Sequence, residues 1–226
     1  MANLMIKICG IRDAELAEQA ALAGADYIGI VFHPTSSRYV DLDQARLISH
    51  AVRKAGALPV GVFVNQTDVE MRHICEVTDI NIAQLHGAIA RAYHHLLPAT
   101  YQKIYVLNLT VEGQLLTDDG LQYLDSEKDM ILIDHIEPGQ GNKIDHLSFH
   151  YDLPFRWMLA GGLSPSNVVD AIQNFRPQGV DVSSGVEILR GEKNIIKIQQ
   201  FITAVLRTPL PLWERSTPKA AGEGCF

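Results

Sequence analysis

Paired cysteines, long apolar runs and an excess of positive charge are all missing from this 226-residue chain. Each absence closes off a class of function. The three cysteines, Cys9, Cys75 and Cys225, are an odd number without CxxC spacing, which leaves no support for a disulfide framework or a zinc ribbon. No stretch free of Asp, Glu, Lys and Arg exceeds 13 residues, short of the roughly 20 that a membrane-spanning helix needs. The first residues run straight into a strand-like segment, with no secretory apolar stretch ahead of a small-residue cleavage site, so a cytoplasmic protein is expected. Nineteen basic against 26 acidic side chains leave a formal charge of −7, the wrong sign for the dense Lys/Arg surface on which nonspecific nucleic-acid binding relies. What is present is an ordinary globular composition, 47% hydrophobic and 20% charged, on a chain long enough for a real core.

The apolar residues alternate between two textures. Strand-like runs occur at Leu4–Cys9, Tyr27–Phe32, Leu58–Val64, Asn81–Leu85, Lys103–Leu107, Asp129–Asp134, Phe155–Ala160 and Gly179–Ser183. Between them lie helix-period stretches such as Asp13–Ala23, Asp43–Lys54, Asp68–Glu76 and Asn194–Leu206, each opening near a capping or acidic residue. Strand starts fall 22 to 31 residues apart, room for a strand, a loop and the crossover helix that parallel strands require. The pattern predicts a single-domain α/β fold, a (β/α)8 TIM barrel over residues 1–206. A doubly wound open sheet is disfavoured because the first strand-to-helix turn, Cys9-Gly10-Ile11-Arg12-Asp13, has no GxGxxG fingerprint. Leu109–Glu127, rich in Thr, Gly and Asp, is the poorest helix of the series. Residues 207–226 hold three of the ten prolines and lose the periodicity, so a disordered tail is expected there.

In such a barrel, catalytic groups stand just past the C-terminal ends of the strands. Those positions hold a thiol (Cys9), an imidazole (His86), a carboxylate (Asp134) and, in the loop His33–Val40, the guanidinium of Arg38. Two glycine-rich turns follow the seventh and eighth strands, Gly161-Gly162-Leu163-Ser164-Pro165 and Ser183-Ser184-Gly185. A single turn of this kind need only reverse the chain, but two in these places favour a phosphate cradle, with Ser164 as helix N-cap and Pro165 as the first helical residue. Lys7 shares strand parity with Cys9, and its ammonium would favour the thiolate. Taken singly, Cys9 reads as a buried hydrophobe, Asp134 as a cap or ion pair, and Arg38 as a solvated loop residue. His86 is open between ligand contact and a barrel-top hydrogen bond. His146 and His150 have i, i+4 spacing without HExxH, and the adjacent pair His94-His95 points two ways, so no metal is expected.

Read together, Lys7-Ile-Cys-Gly-Ile11, Gly24-Ala-Asp26, Ser36-Ser-Arg-Tyr-Val40, Gly61-Val-Phe-Val-Asn65, Gln84-Leu-His-Gly87, Leu132-Ile-Asp134, Ala160-Gly-Gly-Leu163 and Val180-Asp-Val-Ser-Ser-Gly-Val-Glu187 resemble the phosphoribosylanthranilate isomerases of tryptophan biosynthesis. The resemblance runs in order from residue 4 to about 206. It implies an Amadori rearrangement of N-(5-phosphoribosyl)anthranilate to 1-(2-carboxyphenylamino)-1-deoxyribulose 5-phosphate, without metal or organic cofactor. It also implies Asp134 as general acid, Cys9 as general base and Arg38 at the anthranilate carboxylate. The remaining substrate contacts fall to Lys7, His86, Gly161, Gly162, Asp181, Ser183, Ser184 and Gly185. The reaction needs an acid with a raised pKa and a moderately strong base around one sugar. Departures fall in Pro138–Asp145, where proline stands for the family's first glycine and no Trp follows Asp145.

Other phosphate barrels would need different strand ends: metal-binding His/Asp ligands for an epimerase, a Lys/Glu set for indole-glycerol-phosphate synthesis. A sugar-phosphate sensor would keep the phosphate turns but lose the acid or the base. The implied partner is a small phosphorylated substrate, with neither nucleic acid nor membrane, and a monomer is expected for want of an exposed apolar stripe. Residues 207–226 carry three basic and two acidic groups, so the barrel itself is at −8. An anionic substrate must then be drawn by local groups, expected to be Arg38, Lys7 and the backbone amides of the last two turns.

Overall fold

The computed structural model describes residues 4–110, 114–135, 149 and 151–209. Parallel strands β1 (Met5–Cys9), β2 (Tyr27–Val31), β3 (Leu58–Phe63), β4 (Ile82–Leu85) and β5 (Gln102–Leu109) pair in sequence order. The two-residue β6 (Leu115–Leu116) folds back antiparallel on Asn108 and Leu109. The series resumes with β7 (Met130–His135), β8 (Arg156–Leu159) and β9 (Gly179–Val182), and pairing of β9 with β1 closes the ring. The result is an eight-stranded parallel barrel, as the run spacing predicts.

Strand parity divides the buried residues into two cores. Ile6 and Ile8, Ile28 and Ile30, Ile131 and Ile133, Val180 and Val182 face outward and pack under the helices. Their neighbours Val60, Ile82, Ile104, Val106, Met130, Leu132 and Met158 fill the barrel interior. Each such side chain, fully withdrawn from water, is worth about 1.5–3 kcal/mol, so a one-residue slip of any strand would forfeit both cores. Cys9, Val31 and Val62 form a separate small cluster at the open end of the interior.

Helices α1 (Ala14–Leu22), α2 (Leu42–Lys54) and α3 (Asp68–Thr78) start where the sequence places caps. Asp13 accepts from the Leu16 N–H and Asp41 from the Gln44 N–H, while Thr67 and Glu70 form a reciprocal capping box. The short α4 (Ala88–Tyr93), then α5 (Val168–Phe175) and α6 (Ile195–Leu206), complete the described layer. Two expectations need correction. The fifth crossover has no α-helix among the described residues but a 3-10 turn, Asp119–Tyr123, capped by Asp118; Thr, Asp and Gly favour such local turns over a continued helix. At the seventh, Ser164 is not the N-cap of α5: Asn167 is, with the 164–167 turn ahead of it. The Asn167 side chain accepts from the Ser164 N–H at 2.7 Å and donates to the Gly162 carbonyl at 2.9 Å, tying the turn in place.

The loop departure at Pro138–Asp145, the pair His146 and His150, and residues 210–226 of the expected tail lie outside the described residues. His94 and His95 sit in a 3-10 turn, and the rings divide as anticipated. His94 is buried between the carbonyls of Arg91 and Gly120, whereas His95 is exposed and held by Ala92. No described helix is long and apolar enough to cross a membrane.

Candidate active site

A cavity of about 550 Å³ opens at the C-terminal mouth of the barrel, within the size range of small-molecule sites. Parity and register decide what enters it. On β1 the outward turn of Ile8 sends Lys7 and Cys9 inward, and Cys9 stands level with Gly29 of β2. A Cβ at Gly29 would lie 2.7 Å from the Cys9 sulfur, so the glycine leaves room for the thiol. Gly10, at φ +79, does the same for Arg38, whose Cδ would be 2.4 Å from any Cβ there.

Asp134 enters from β7, level with Asn108 of β5, and lines the cavity half-buried. Strands β8 and β9 stand between it and Cys9, so the carboxyl and the thiol face one volume from two sides. Val31, Val62, Val64, Ala160 and Leu163 give the cavity an apolar wall suited to a planar ring. Two lining residues each hold a buried polar atom without a protein partner among the described residues, His33 Nδ1 and Gln84 Oε1. Buried polar atoms are nearly always satisfied, so a bound molecule or water has work to do at both.

The two glycine turns form one unit. Gly161 and Gly162 adopt φ of +87 and +64, and Gly185 packs so closely on the first turn that a Cβ would fall 1.9 Å from the Leu163 carbonyl oxygen. Gly161, Gly162, Ser183 and Ser184 reach the cavity lining. Gly185 supports them from behind.

The charges are arranged differently from expectation. Lys7 is completely buried, faces Asp181 across the β1–β9 ladder, and bonds its carboxylate at 2.9 Å. It lies beneath the cavity and is absent from its lining, where Asp181 takes the place. The expected stabilisation of the thiolate by Lys7 therefore does not prevail. Burial pushes the Cys9 thiol up, and Asp181 works against the help Lys7 gives. Arg38 lines the cavity with its fork engaged by Glu187, Nε to Oε1 at 2.7 Å and Nη2 to Oε2 at 2.9 Å. His86 is exposed to the cavity yet crowded by protein. Burial, with Lys7 nearby, lowers its pKa and holds the ring neutral at pH 7.

Sequence reasoning brought together Cys9, Arg38, His86, Asp134, Gly161, Gly162, Asp181, Ser183 and Ser184, all in one lining. It missed Gln84, Arg190, Glu187 and Lys193 as parts of the site. Gln84 and Glu187 stood inside quoted motifs, whereas Arg190 and Lys193 lie in a hairpin with no signal of their own.

Residues 6–204 match the family described as N-(5'-phosphoribosyl)anthranilate (PRA) isomerase. The chain belongs to that family. N-(5'-phosphoribosyl)anthranilate isomerase 2, chloroplastic, of Arabidopsis thaliana is 39% identical over 207 residues, covering 89% of this chain and 74% of the relative. Phosphoribosyl anthranilate isomerase of Thermotoga maritima superposes with a TM-score of 0.72 at 33% identity, covering 89% of this chain and 98% of that one. A phosphoribosyl anthranilate isomerase solved in complex with reduced 1-(o-carboxyphenylamino)-1-deoxyribulose 5-phosphate has a TM-score of 0.67 at 30% identity, over 89% and 98% of the two chains.

Proposed function

We infer that the protein converts N-(5-phosphoribosyl)anthranilate to 1-(2-carboxyphenylamino)-1-deoxyribulose 5-phosphate, an aldose–ketose isomerisation in tryptophan biosynthesis. The observation that supports this most is the convergence of Cys9 and Asp134 on one cavity that also holds Arg38 and the paired glycine turns. The phosphate rests against the Gly161–Gly162 and Ser183–Gly185 turns, and the aryl ring against the valine wall. The ring's carboxylate meets Arg38, whose Nη1 remains outside the fork with Glu187.

Asp134 then protonates the ribose ring oxygen, the C1–O bond breaks, and the aryl nitrogen becomes an iminium. Cys9 removes the C2 proton, the electron pair forms the enolamine, and tautomerisation leaves the ketone. Acid and base each contribute about 10²–10⁴ in rate. Burial keeps Cys9 largely a thiol at neutral pH, and a cationic iminium beside it favours the thiolate. No sequence feature of this path calls for a metal or an organic cofactor, and the protein acts as a monomer in this reading.

The test is loss of substrate fluorescence with the compound generated in situ and no metal added. Absence of turnover at micromolar enzyme would reject the activity. Asp134→Asn should nearly abolish turnover while inorganic phosphate still competes, and a near-wild-type rate would remove Asp134 as the acid. Cys9→Ser should lose at least about a hundredfold, serine being the poorer base, and survival within about tenfold would remove Cys9.

A further inference from the structure

Two buried charged side chains take no part in this acid–base scheme. Glu187 opens β10 (Glu187–Leu189) and Lys193 ends β11 (Glu192–Lys193), the arms of a hairpin beyond β9. Their side chains are 5% and 1% exposed. Glu187 Oε1 accepts from Arg38 Nε and from Lys193 Nζ, both at 2.7 Å. Its Oε2 accepts from Arg38 Nη2 at 2.9 Å and from the Gly191 N–H at 3.1 Å. Lys193 Nζ also donates to the Ser183 carbonyl at 3.0 Å and contacts its hydroxyl at 3.1 Å, while that hydroxyl donates to the Cys9 carbonyl at 3.1 Å.

The full bonding capacity of the pair is thus used: four acceptor sites on the carboxylate and three donors on the ammonium. Taking two charges out of water costs several kcal/mol per ion, and well-packed apolar side chains would hold a hairpin as firmly. The bonds instead end on groups of the cavity: Arg38, the Ser183 turn and the end of β1. The hairpin itself is fixed in register against the Arg38 loop. Gly191 has φ +87, and a Cβ there would lie 2.5 Å from the Ser37 carbonyl oxygen.

We propose that Glu187 and Lys193 are positioning residues, a buried strut that sets the span between the guanidinium receiving the substrate carboxylate and the turn receiving its phosphate. The proposal rests on the roles given to Arg38 and Ser183–Gly185 above. A ligand anchored at both ends gains by effective concentration only when the two anchors hold their spacing. Loosening the strut therefore harms the whole substrate more than either of its anionic fragments.

The experiment compares Glu187→Gln, Lys193→Met and the double variant by kcat, KM, thermal midpoint, and inhibition by inorganic phosphate and by anthranilate separately. Each single variant should raise KM at least about tenfold. In Glu187→Gln the phosphate inhibition constant should stay within about threefold, and in Lys193→Met it should rise about fivefold. The double variant should fall within about threefold of the worse single, because the two act as one unit. KM and kcat within about twofold of wild type, even with a lowered thermal midpoint, would reduce the pair to structural packing and overturn the proposal. So would a double variant whose loss is the product of the singles.

If these variants do not accumulate as folded protein, Glu187→Asp and Lys193→Arg keep the charges, change the arm lengths, and should show the same rise in KM. An unchanged KM in both would overturn the proposal equally. Should wild-type protein leave the substrate untouched, the fault lies with the functional reading. Phosphate titration of wild type against Lys193→Met then decides the strut, weaker binding supporting it and equal binding refuting it.

Discussion

Replacing Gly185 with alanine adds one carbon where two backbones meet. The new Cβ would stand 1.9 Å from the Leu163 carbonyl oxygen, 2.9 Å from its carbon and 3.0 Å from Ser164 Cα. A carbon and an oxygen in ordinary contact need about 3.3 Å, so the two turns must part by about 1.4 Å, with no flexible side chain to absorb the shift. Overpacking of this kind costs about 1–3 kcal/mol of stability. A misplacement of about 1 Å at a binding group can cost about a hundredfold in rate. We expect kcat/KM to fall by about that factor, with the inorganic phosphate inhibition constant rising about tenfold or more, since the turns parted are the ones assigned to phosphate.

The control is Gly56→Ala, where the added carbon meets nothing within 4 Å and only the positive φ of +88 opposes it. It should lose about 1 kcal/mol of stability and no activity. The assay is steady-state kinetics with phosphate as competitor, beside urea unfolding of both variants. If Gly185→Ala keeps kcat/KM and phosphate inhibition within about threefold of wild type, the two turns do not act as one phosphate cradle.

Other outcomes follow from the same geometry. Burial raises the Cys9 thiol above its ordinary value of 9.0, so in a Cys75→Ala, Cys225→Ala background the rate of iodoacetamide alkylation should keep climbing through pH 9. Levelling below about pH 8.5 would mean that Lys7, not burial, dominates. Gly29→Ala would press within 2.7 Å of the Cys9 sulfur. It should cut kcat while leaving phosphate inhibition unchanged, and an unaffected kcat would show that the thiol's position is not critical. Glu187 sits at about 2 because the hydrogen bonds from Arg38 and Lys193 outweigh the upward push of burial. Its folded-state pKa is below the ordinary 4.5, so its contribution is full above that pH and is lost as pH falls toward 2. At most about 3 kcal/mol is at stake, and the urea midpoint of wild type should drop more between pH 5 and pH 2.5 than that of Glu187→Gln. Equal drops would refute the assignment.

The barrel was legible because its signal is periodic. Eight apolar runs at regular spacing, with Asp13, Asp41 and Thr67 at helix starts, need no long-range information to be read. The fifth crossover was less so, since Thr, Asp and Gly there form local turns whose outcome depends on what β5 and β7 leave to cover. The chemistry-bearing residues were also legible, because parity and strand ends place Cys9, Asp134 and the two glycine turns at one mouth. What no spacing could supply was pairing between distant residues. Lys7 meets Asp181, and Arg38 meets Glu187, across 174 and 149 positions of chain. Only closure of β9 onto β1 brings them within bonding distance.

That closure overturns, for Lys7, an inference drawn from charge alone. By its sequence the protein is acidic, with Lys7 and Arg38 as the cations set against an anionic substrate. In the folded barrel both cations already have carboxylate partners, because an unpaired charge in a low-dielectric interior is too costly to keep. Residue types and strand parity determined which groups face the cavity. Tertiary structure decided which of their charges are neutralised, how high the thiol stands, and how Glu187 and Lys193 tie the Arg38 loop to the Ser183 turn.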